Sequence, residues 1–223
     1  GHIAHGSMPF LGDNAVRHMG AVIDELERRI FPALANHKTS MPVVPDGART
    51  PTLNINSIHG GQPDVTGSGL PAPVVPDSCR IVLDRRLLIE EDLDEVKAQM
   101  RSMLDGLTQT RPNFRYKIRD LFEVRPSMTE PERPVVRMTC EAVEQVMGKP
   151  ADICCSPGTY DQKHIDRIGK LRDCIAYGPG ILDLAHQRCT EGEARWQQQR
   201  TMRAQQVSRQ HHAGLQPLRQ DLL

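Results

Sequence analysis

The segment from Thr52 to Arg86 constrains the fold most, because it reads as two strands that pair with each other. Residues 53–58 alternate between apolar and polar side chains, which is the period of two of a half-buried strand. A glycine pair and a Gly- and Pro-rich loop follow, and residues 74–86 then alternate again. The sequence therefore predicts an antiparallel strand pair whose second strand ends at Arg86.

Apolar residues at three- and four-residue intervals predict a helix on each side of this pair. The first helix begins at Asp13 or Asn14, residue types that cap helix N-termini, and its apolar face runs to Ile30. Pro32 is predicted to end it, because proline interrupts the helical hydrogen bonds. The second helix is predicted over about residues 91–107.

Two further strands, at residues 1–7 and 114–124, complete a strand-helix-strand-strand-helix-strand order. This order predicts a ferredoxin-like βαββαβ domain over residues 1–124, with a four-stranded antiparallel sheet and both helices on one face. The predicted fold class is thus α/β with an α+β first domain.

Residues 125–187 change character, because helices here alternate with short apolar strands. We predict helices at residues 134–147 and 161–168 and short buried strands at residues 153–155 and 174–177. Such an alternation indicates an incomplete piece of an α/β sheet.

Composition excludes two classes of partner. Lys and Arg together number 28, as do Asp and Glu, so the net charge is zero and nucleic acid is not the expected partner. No run of eighteen or so apolar residues is present, so we expect no membrane span. The six cysteines show no Cys-x-x-Cys spacing, which favours reduced thiols and a cytoplasmic protein.

The two ends of the sequence are unusual. Gly1 begins in the middle of a motif with no initiator methionine, so we expect this chain to be part of a longer polypeptide. Residues 188–223 form a Gln- and Arg-rich run with little apolar periodicity. We interpret this polar tail as a divergent segment, and a shifted reading frame after Gln187 is one hypothesis for its origin.

Seven short motifs follow one another along residues 1–187. They are His5-Gly6-Ser7, Gly60-Gly61, Val75-Pro76-Asp77, Asp84-Arg85-Arg86, Thr159-Tyr160-Asp161, Gly178-Pro179-Gly180 and Ala185-His186-Gln187. Their order resembles that of the zinc-dependent amidohydrolases that include acetylornithine deacetylase, succinyl-diaminopimelate desuccinylase, aminoacylase and carboxypeptidase G. The resemblance implies a lid or dimerisation domain at residues 1–124, through which a homodimer forms, and the C-terminal part of a catalytic domain at residues 125–187.

The resemblance also implies roles for individual residues. His5 matches the lid histidine that donates a hydrogen bond to the developing oxyanion, in many members within the partner subunit's site; the alternative from the sequence alone is a histidine that caps a turn. Arg86 matches the arginine that binds the substrate carboxylate, with Arg85 as a solvated charge beside it. Gly178 and Gly180 would border the substrate.

The metal and the substrate are likewise implied by the resemblance. His186 matches the last zinc ligand of a site with two zinc ions, for which cobalt or manganese are alternatives. The expected reaction is hydrolysis of the amide bond of an N-acyl amino acid or short peptide by a zinc-activated water.

Parts of the family pattern are missing from this sequence. The other zinc ligands and the general base would precede Gly1, Pro73 replaces a usual asparagine, and Thr190 replaces an acidic residue. Glu90 and Glu91 are predicted to favour a helix N-terminus rather than to act as a base. The fragment alone is therefore expected to be inactive, and a non-catalytic dimerisation module is the alternative function.

Overall fold

The structure of the protein is a computed structural model. It describes residues 1–62, 67, 69, 72–158 and 160–177. The chain divides into two compact units, one made of residues 1–41 and 48–126 and the other of residues 42–47 and those from 127 onward.

The elements of the first unit follow the predicted order from the first strand to the second predicted helix, except that the third predicted strand is divided in two. Its elements are β1 (Ala4–His5), α1 (Ala15–Glu25), α2 (Phe31–Asn36), β2 (Thr52–Gly60), β3 (Val74–Val75), β4 (Cys79–Arg86) and α3 (Leu93–Thr110).

The predicted antiparallel pair is confirmed as β2 and β4. The ladder runs from Thr52 opposite Arg86 to Gly60 opposite Cys79, and Asn56 bulges out of it where the register shifts. A bulge of this kind leaves one residue unpaired and increases the local twist.

The predicted four-stranded sheet is not formed, because the third strand is divided and the fourth is absent from the described residues. The third segment divides at Pro76 into β3, which pairs with β1, and β4, which pairs with β2. Proline has no N–H to donate to a ladder, and the Pro76 carbonyl accepts the Ala15 amide at 2.8 Å instead. The described residues thus hold two small antiparallel sheets.

Residues 114–124 form no strand, and the predicted alternation of buried and exposed side chains holds only as far as Tyr116, because Ile118 is exposed. Phe114 is buried in the core, and the Tyr116 hydroxyl donates to Asp105 of α3 at 2.7 Å. Lys97 of the same helix forms ion pairs with two carboxylates of this segment. The alternation therefore reflects packing of the segment against α3 and not pairing with a strand.

The core of the first unit lies between the helices and one face of the β2–β4 pair, as predicted. Leu26 is fully buried at its centre. The buried cluster consists of Val22, Leu26, Leu53, Met103, Leu104, Leu107 and Phe114.

The first helix begins as predicted but continues past its predicted end. The Asn14 side chain accepts the amides of Val16 and Arg17, at 2.9 and 3.1 Å, so it is the N-cap. A π-helical turn over Leu26–Ile30 then leads into α2, and Pro32 lies in the first turn of α2. Proline is tolerated there because its missing N–H falls at the start of the new helical segment.

In the second unit both predicted helices are confirmed, as α4 (Pro134–Met147) and α5 (Gln162–Arg167). The predicted buried strands at 153–155 and 174–177 are wrong: Cys155 makes an isolated bridge with Val43, and residues 174–177 form no strand. A strand needs a run of paired residues, and among the described residues of this unit the pairing stops at the single Val43–Cys155 bridge.

No helix among the described residues is long and apolar enough to cross a membrane. The five cysteines within the described ranges are free thiols.

Candidate functional site

His5 lies at the end of β1, in a tight turn that backbone hydrogen bonds hold in place. The Gly6 amide donates to the Pro73 carbonyl at 2.6 Å, and the Met8 amide donates to the His5 carbonyl at 2.9 Å. The imidazole is exposed, and its Nδ1 lies 2.7 Å from the Ser7 hydroxyl and 3.2 Å from the Ser7 amide nitrogen. The turn therefore presents the ring to solvent in a defined orientation.

Glycine is required at the centre of this turn. A Cβ on Gly6 would lie 2.7 Å from the Pro73 carbonyl oxygen, closer than real Cβ contacts. Position 73, where the family usually has asparagine, thus contributes a backbone acceptor to the His5 turn.

At the end of β4 the two neighbouring arginines have opposite environments. The Arg86 side chain is 48% exposed, and its Nη2 donates to Asp84 Oδ2 at 2.8 Å. The Arg85 side chain is only 15% exposed and forms an ion pair with the buried Glu91, which also accepts the Leu88 amide at 2.8 Å. The prediction that Arg85 is a solvated charge is therefore wrong.

The carboxylates of Glu90 and Glu91 do not cap the helix that follows them. Asp92 is the N-cap of α3, because its side chain accepts the amides of residues 94 and 95. Glu90 instead accepts the Thr39 hydroxyl at 2.5 Å, and His37 Nδ1 lies 3.4 Å from Glu91. Both carboxylates thus bind the segment after α2, and the ion pair with Arg85 explains why Glu91 is buried.

The structure does not bring His5 and Arg86 together within one chain. His5 pairs with β3, next to the Cys79 end of β4, whereas Arg86 is the last residue of that eight-residue strand. At about 3.3 Å per residue the two ends of β4 are roughly 20 Å apart. One small substrate cannot contact both side chains of the same chain.

The predicted residues Gly178, Gly180 and His186 lie outside the described residues. Within the described ranges, no group of three or more His, Cys, Asp or Glu side chains could hold a metal ion. A tight zinc site needs at least three protein ligands, so the described residues do not form the site that the resemblance implies.

Sequence reasoning missed Ser7 as a partner of His5 and Glu91 as the partner of Arg85. The signal for Ser7 was present, because a hydroxyl two residues from a histidine in a turn is within hydrogen-bond reach. The signal for Arg85 was the alternation of β4, which places it on the same face as Ile81 and Leu83.

The described residues of the first unit form an α+β domain in which helices pack against one face of an antiparallel strand pair. Residues 1–110 match the family model of the peptidase dimerisation domain, M20_dimer. Acetylornithine deacetylase of Myxococcus xanthus is 24% identical over 189 residues, which cover 84% of this chain and 44% of that protein. The chain therefore spans less than half the length of this curated relative. Residues 1–110 are thus a dimerisation domain of the M20 peptidase family.

Proposed function

We propose that this chain is a portion of a metal-dependent amidohydrolase that cleaves the amide bond of N-acyl amino acids or short peptides. The observation that carries the proposal is the dimerisation-domain match over residues 1–110, which includes the exposed His5 turn. The similarity to an acetylornithine deacetylase supports a small N-acylated substrate. A cytoplasmic location fits the free thiols of the described cysteines.

In this proposal His5 donates a hydrogen bond to the oxyanion that develops as the amide is attacked. The role suits an exposed imidazole in a turn that two backbone hydrogen bonds fix, because a preorganised donor stabilises developing charge without reorganisation. Zinc, with cobalt or manganese as alternatives, would be held by His186 and residues beyond the described part, and such a metal supplies an activated water when bound. Within the described part of the chain, His5 would contribute the hydrogen bond to the oxyanion, and Arg86 would contribute a positive charge that orients the substrate.

Arg86 would bind the substrate carboxylate, with Gly178 and Gly180 beside the substrate. Because Arg86 ends β4 while His5 pairs with β3, before the start of β4, we propose that the two residues of one chain serve different sites. In a twofold homodimer one chain's His5 would complete a site to which its partner contributes the remaining residues. The long β2–β4 pair supports such an assembly, because no third strand joins it among the described residues and antiparallel edges are commonly covered by a symmetric copy.

The catalytic role of His5 is tested by steady-state kinetics on the longest polypeptide that the native gene encodes around this segment. His5→Ala should lower kcat by about a hundred- to a thousand-fold, the usual effect of losing one oxyanion donor, while zinc content stays unchanged. His2→Ala is the matched control, because His2 is also exposed and three residues away. Nearly full turnover of His5→Ala on N-acetylated and N-succinylated amino acids would contradict the role.

The dimeric assembly is tested by sedimentation velocity on the chain itself. A standard-sized interface should hold a homodimer at tens of micromolar, and a monomer at that concentration would count against it. A stable dimer whose full native polypeptide hydrolyses no N-acyl substrate would identify a non-catalytic dimerisation module instead.

A further inference from the structure

We propose that one end of the first unit is the surface through which the chain binds a second copy of itself. The inference rests on the homodimer proposed above and deepens it, because it assigns the contact to particular side chains. We call this region the end surface, and it consists of six large apolar residues: Ile3, Met8, Phe10, Leu11, Val16 and Ile58.

The end surface holds every exposed large apolar side chain that the first unit has within the described part of residues 1–110. Val44 is exposed as well, but it belongs to the second unit. Single apolar residues scattered over a surface need no explanation, whereas a cluster of them in one place marks an interaction site. Because residues 1–110 are a dimerisation domain, a second copy is the partner that this cluster fits.

Four members of the end surface lie in one closed loop, residues 3–12. His2 and Asp13 exchange backbone hydrogen bonds at 2.8 and 2.9 Å, so the two ends of the loop lie side by side. Gly12 lies so close to β1 that a Cβ at this position would be 2.9 Å from the Ala4 Cβ. A compact loop whose ends meet presents its side chains as one surface.

The other two members extend this surface from the loop to the end of β2. Val16 lies in the first turn of α1, and a Cβ on Gly60 would be 2.6 Å from the Val16 Cγ2. Ile58 precedes Gly60 by two residues on β2. Since no third strand joins β2 and β4 among the described residues, the end surface is continuous with the open edge of β2.

Charged side chains are absent from the loop. Residues 1–12 include no Asp, Glu, Lys or Arg, although these types make up 25% of the chain and about three would be expected in such a span. Depletion of charged residues, with Phe and Met enriched, is the compositional mark of the core of a protein–protein interface. Burial of this loop against a second copy therefore requires no desolvation of a charged side chain.

Backbone hydrogen bonds order the most exposed part of the end surface before any partner binds. Pro9–Leu11 form a 3₁₀ turn, in which the Leu11 amide donates to the Met8 carbonyl at 3.1 Å and the Gly12 amide donates to the Pro9 carbonyl at 3.2 Å. A side chain on an ordered turn loses little backbone entropy on binding. Buried aromatic anchors also carry much of the binding energy of an interface, so Phe10 is expected to dominate this contact.

A second exposed Leu–Phe pair shows what distinguishes the end surface. Leu121 and Phe122 are 57% and 76% exposed, nearly as much as Leu11 and Phe10 at 59% and 79%. The second pair lies between two acidic residues that form ion pairs with Lys97, and it follows the residues that match the dimerisation domain. Exposure is therefore equal at the two places, but only the loop combines it with an uncharged surround.

The position of the end surface also bears on His5, which lies in the same loop. A second copy that covers Phe10 and Leu11 borders the His5 turn. Such a contact is consistent with a histidine that completes a site in the partner subunit.

The test measures the dimer dissociation constant of the whole chain by sedimentation over a dilution series. Phe10→Ser should raise this constant about thirtyfold or more, the usual effect of removing one aromatic anchor, and Leu11→Ser should raise it about fivefold or more. Phe122→Ser and Leu121→Ser are the matched controls and should leave it unchanged, because they replace the same residue types at nearly equal exposure. Circular dichroism checks that each variant keeps the fold of the unmodified chain.

Hydroxyl-radical footprinting of the unmodified chain locates the contact without any substitution. Oxidation of Phe10, measured by mass spectrometry, should be several-fold slower in the dimer than in the dilute monomer. Oxidation of Phe122 should be equally fast in both states.

The outcomes separate this proposal from those on which it rests. If Phe10→Ser dissociates no more readily than Phe122→Ser, or if Phe10 is oxidised equally fast in dimer and monomer, the end surface is refuted while the homodimer stands. An unmodified chain that stays monomeric at tens of micromolar refutes the homodimer and the end surface together. These measurements need no turnover, so their failure is distinct from a failure of the amidohydrolase function, which the His5→Ala kinetics detects.

Discussion

A buried hydrogen-bonded chain, Asp13–His18–Arg111, should be a main source of stability in the dimerisation domain. His18 lies on α1 and is 9% exposed. Its Nε2 is 2.8 Å from an Asp13 carboxylate oxygen, and the Arg111 Nε–H donates to its Nδ1 at 2.7 Å. Since Arg111 can only donate, the His18 hydrogen lies on Nε2 and is shared with Asp13.

The perturbation is Arg111→Met, which keeps an apolar side chain of similar length and removes the donors. His18 Nδ1 loses a charge-assisted hydrogen bond that is partly buried, worth about 1.5–3 kcal/mol. The Arg17 carbonyl also loses the Arg111 Nη2 donor at 3.0 Å, but that contact is exposed and is replaced by water. We therefore expect the free energy of unfolding to fall by about 2 kcal/mol.

The assay is urea unfolding followed by circular dichroism, with Arg115→Met as the matched control. Arg115 is an exposed arginine four residues further along the chain, and surface changes of this kind usually alter stability by less than about 0.5 kcal/mol. A thermodynamic cycle with Asp13→Ala should give a coupling of about 1 kcal/mol, because both variants act on the same imidazole.

Two results would refute this reasoning. If Arg111→Met were no less stable than Arg115→Met, the buried contact would contribute nothing measurable. If the effects of Arg111→Met and Asp13→Ala were strictly additive, the three groups would not act as one chain.

Two further predictions concern titratable groups of the same unit. Burial, partly offset by a hydrogen bond from the Arg80 amide, raises the pKa of the Cys79 thiol, so at pH 8 Cys79 should alkylate more slowly with iodoacetamide than the exposed Cys154. Equal rates by mass spectrometry would contradict this. The hydrogen bond to Asp105, with a smaller contribution from burial, raises the pKa of Tyr116. The stabilising effect of this hydrogen bond should be complete below pH about 10 and lost as the pH rises through the folded-state pKa of Tyr116. Ultraviolet titration, with Tyr116→Phe as the reference that identifies its signal, measures the ionisation of this phenol. An unchanged Tyr116 ionisation in Asp105→Asn would contradict the prediction.

Local periodicity accounts for the parts of the fold that the sequence predicts. The β2–β4 pair and α3 follow from apolar spacing, and the start of α1 follows from the side chain of Asn14, all of which depend on near neighbours. The π-helical turn over Leu26–Ile30 is not encoded in this way, because it depends on how the helix accommodates Pro32 while Leu26 stays in the core.

Alternation identifies the buried face of a segment but not its hydrogen-bond partner. Phe114 and Tyr116 point inward as predicted, yet α3 and not a strand lies beside them. A ladder also requires an unbroken donor series in the neighbouring strand, and Pro76 divides that strand between β1 and β2.

The environments of Arg85 and Arg86 follow from the two-residue period of a β-strand. Ile81 and Leu83 face the core from β4, and a step of two places Arg85 on that face and Arg86 on the other. Leu53, which is opposite Arg85 in the ladder, is buried as well. The sequence thus contained the reason for a buried partner of Arg85, but Glu91 lies in a loop whose path no periodicity specifies.

The imidazoles of His5 and His18 show why the role proposed for His5 does not follow from its residue type alone. In both His5 and His18 a donor-only group binds Nδ1, namely the Ser7 amide and the Arg111 guanidinium, so both rings carry their hydrogen on Nε2. In His18 that hydrogen is used by Asp13 within a buried chain, whereas in His5 it is directed to solvent. A buried imidazole with both nitrogens bound stabilises the fold, and an exposed one with a fixed outward donor retains a hydrogen bond for a bound molecule. What distinguishes the two is the partner of Nε2, and only the tertiary structure supplies it.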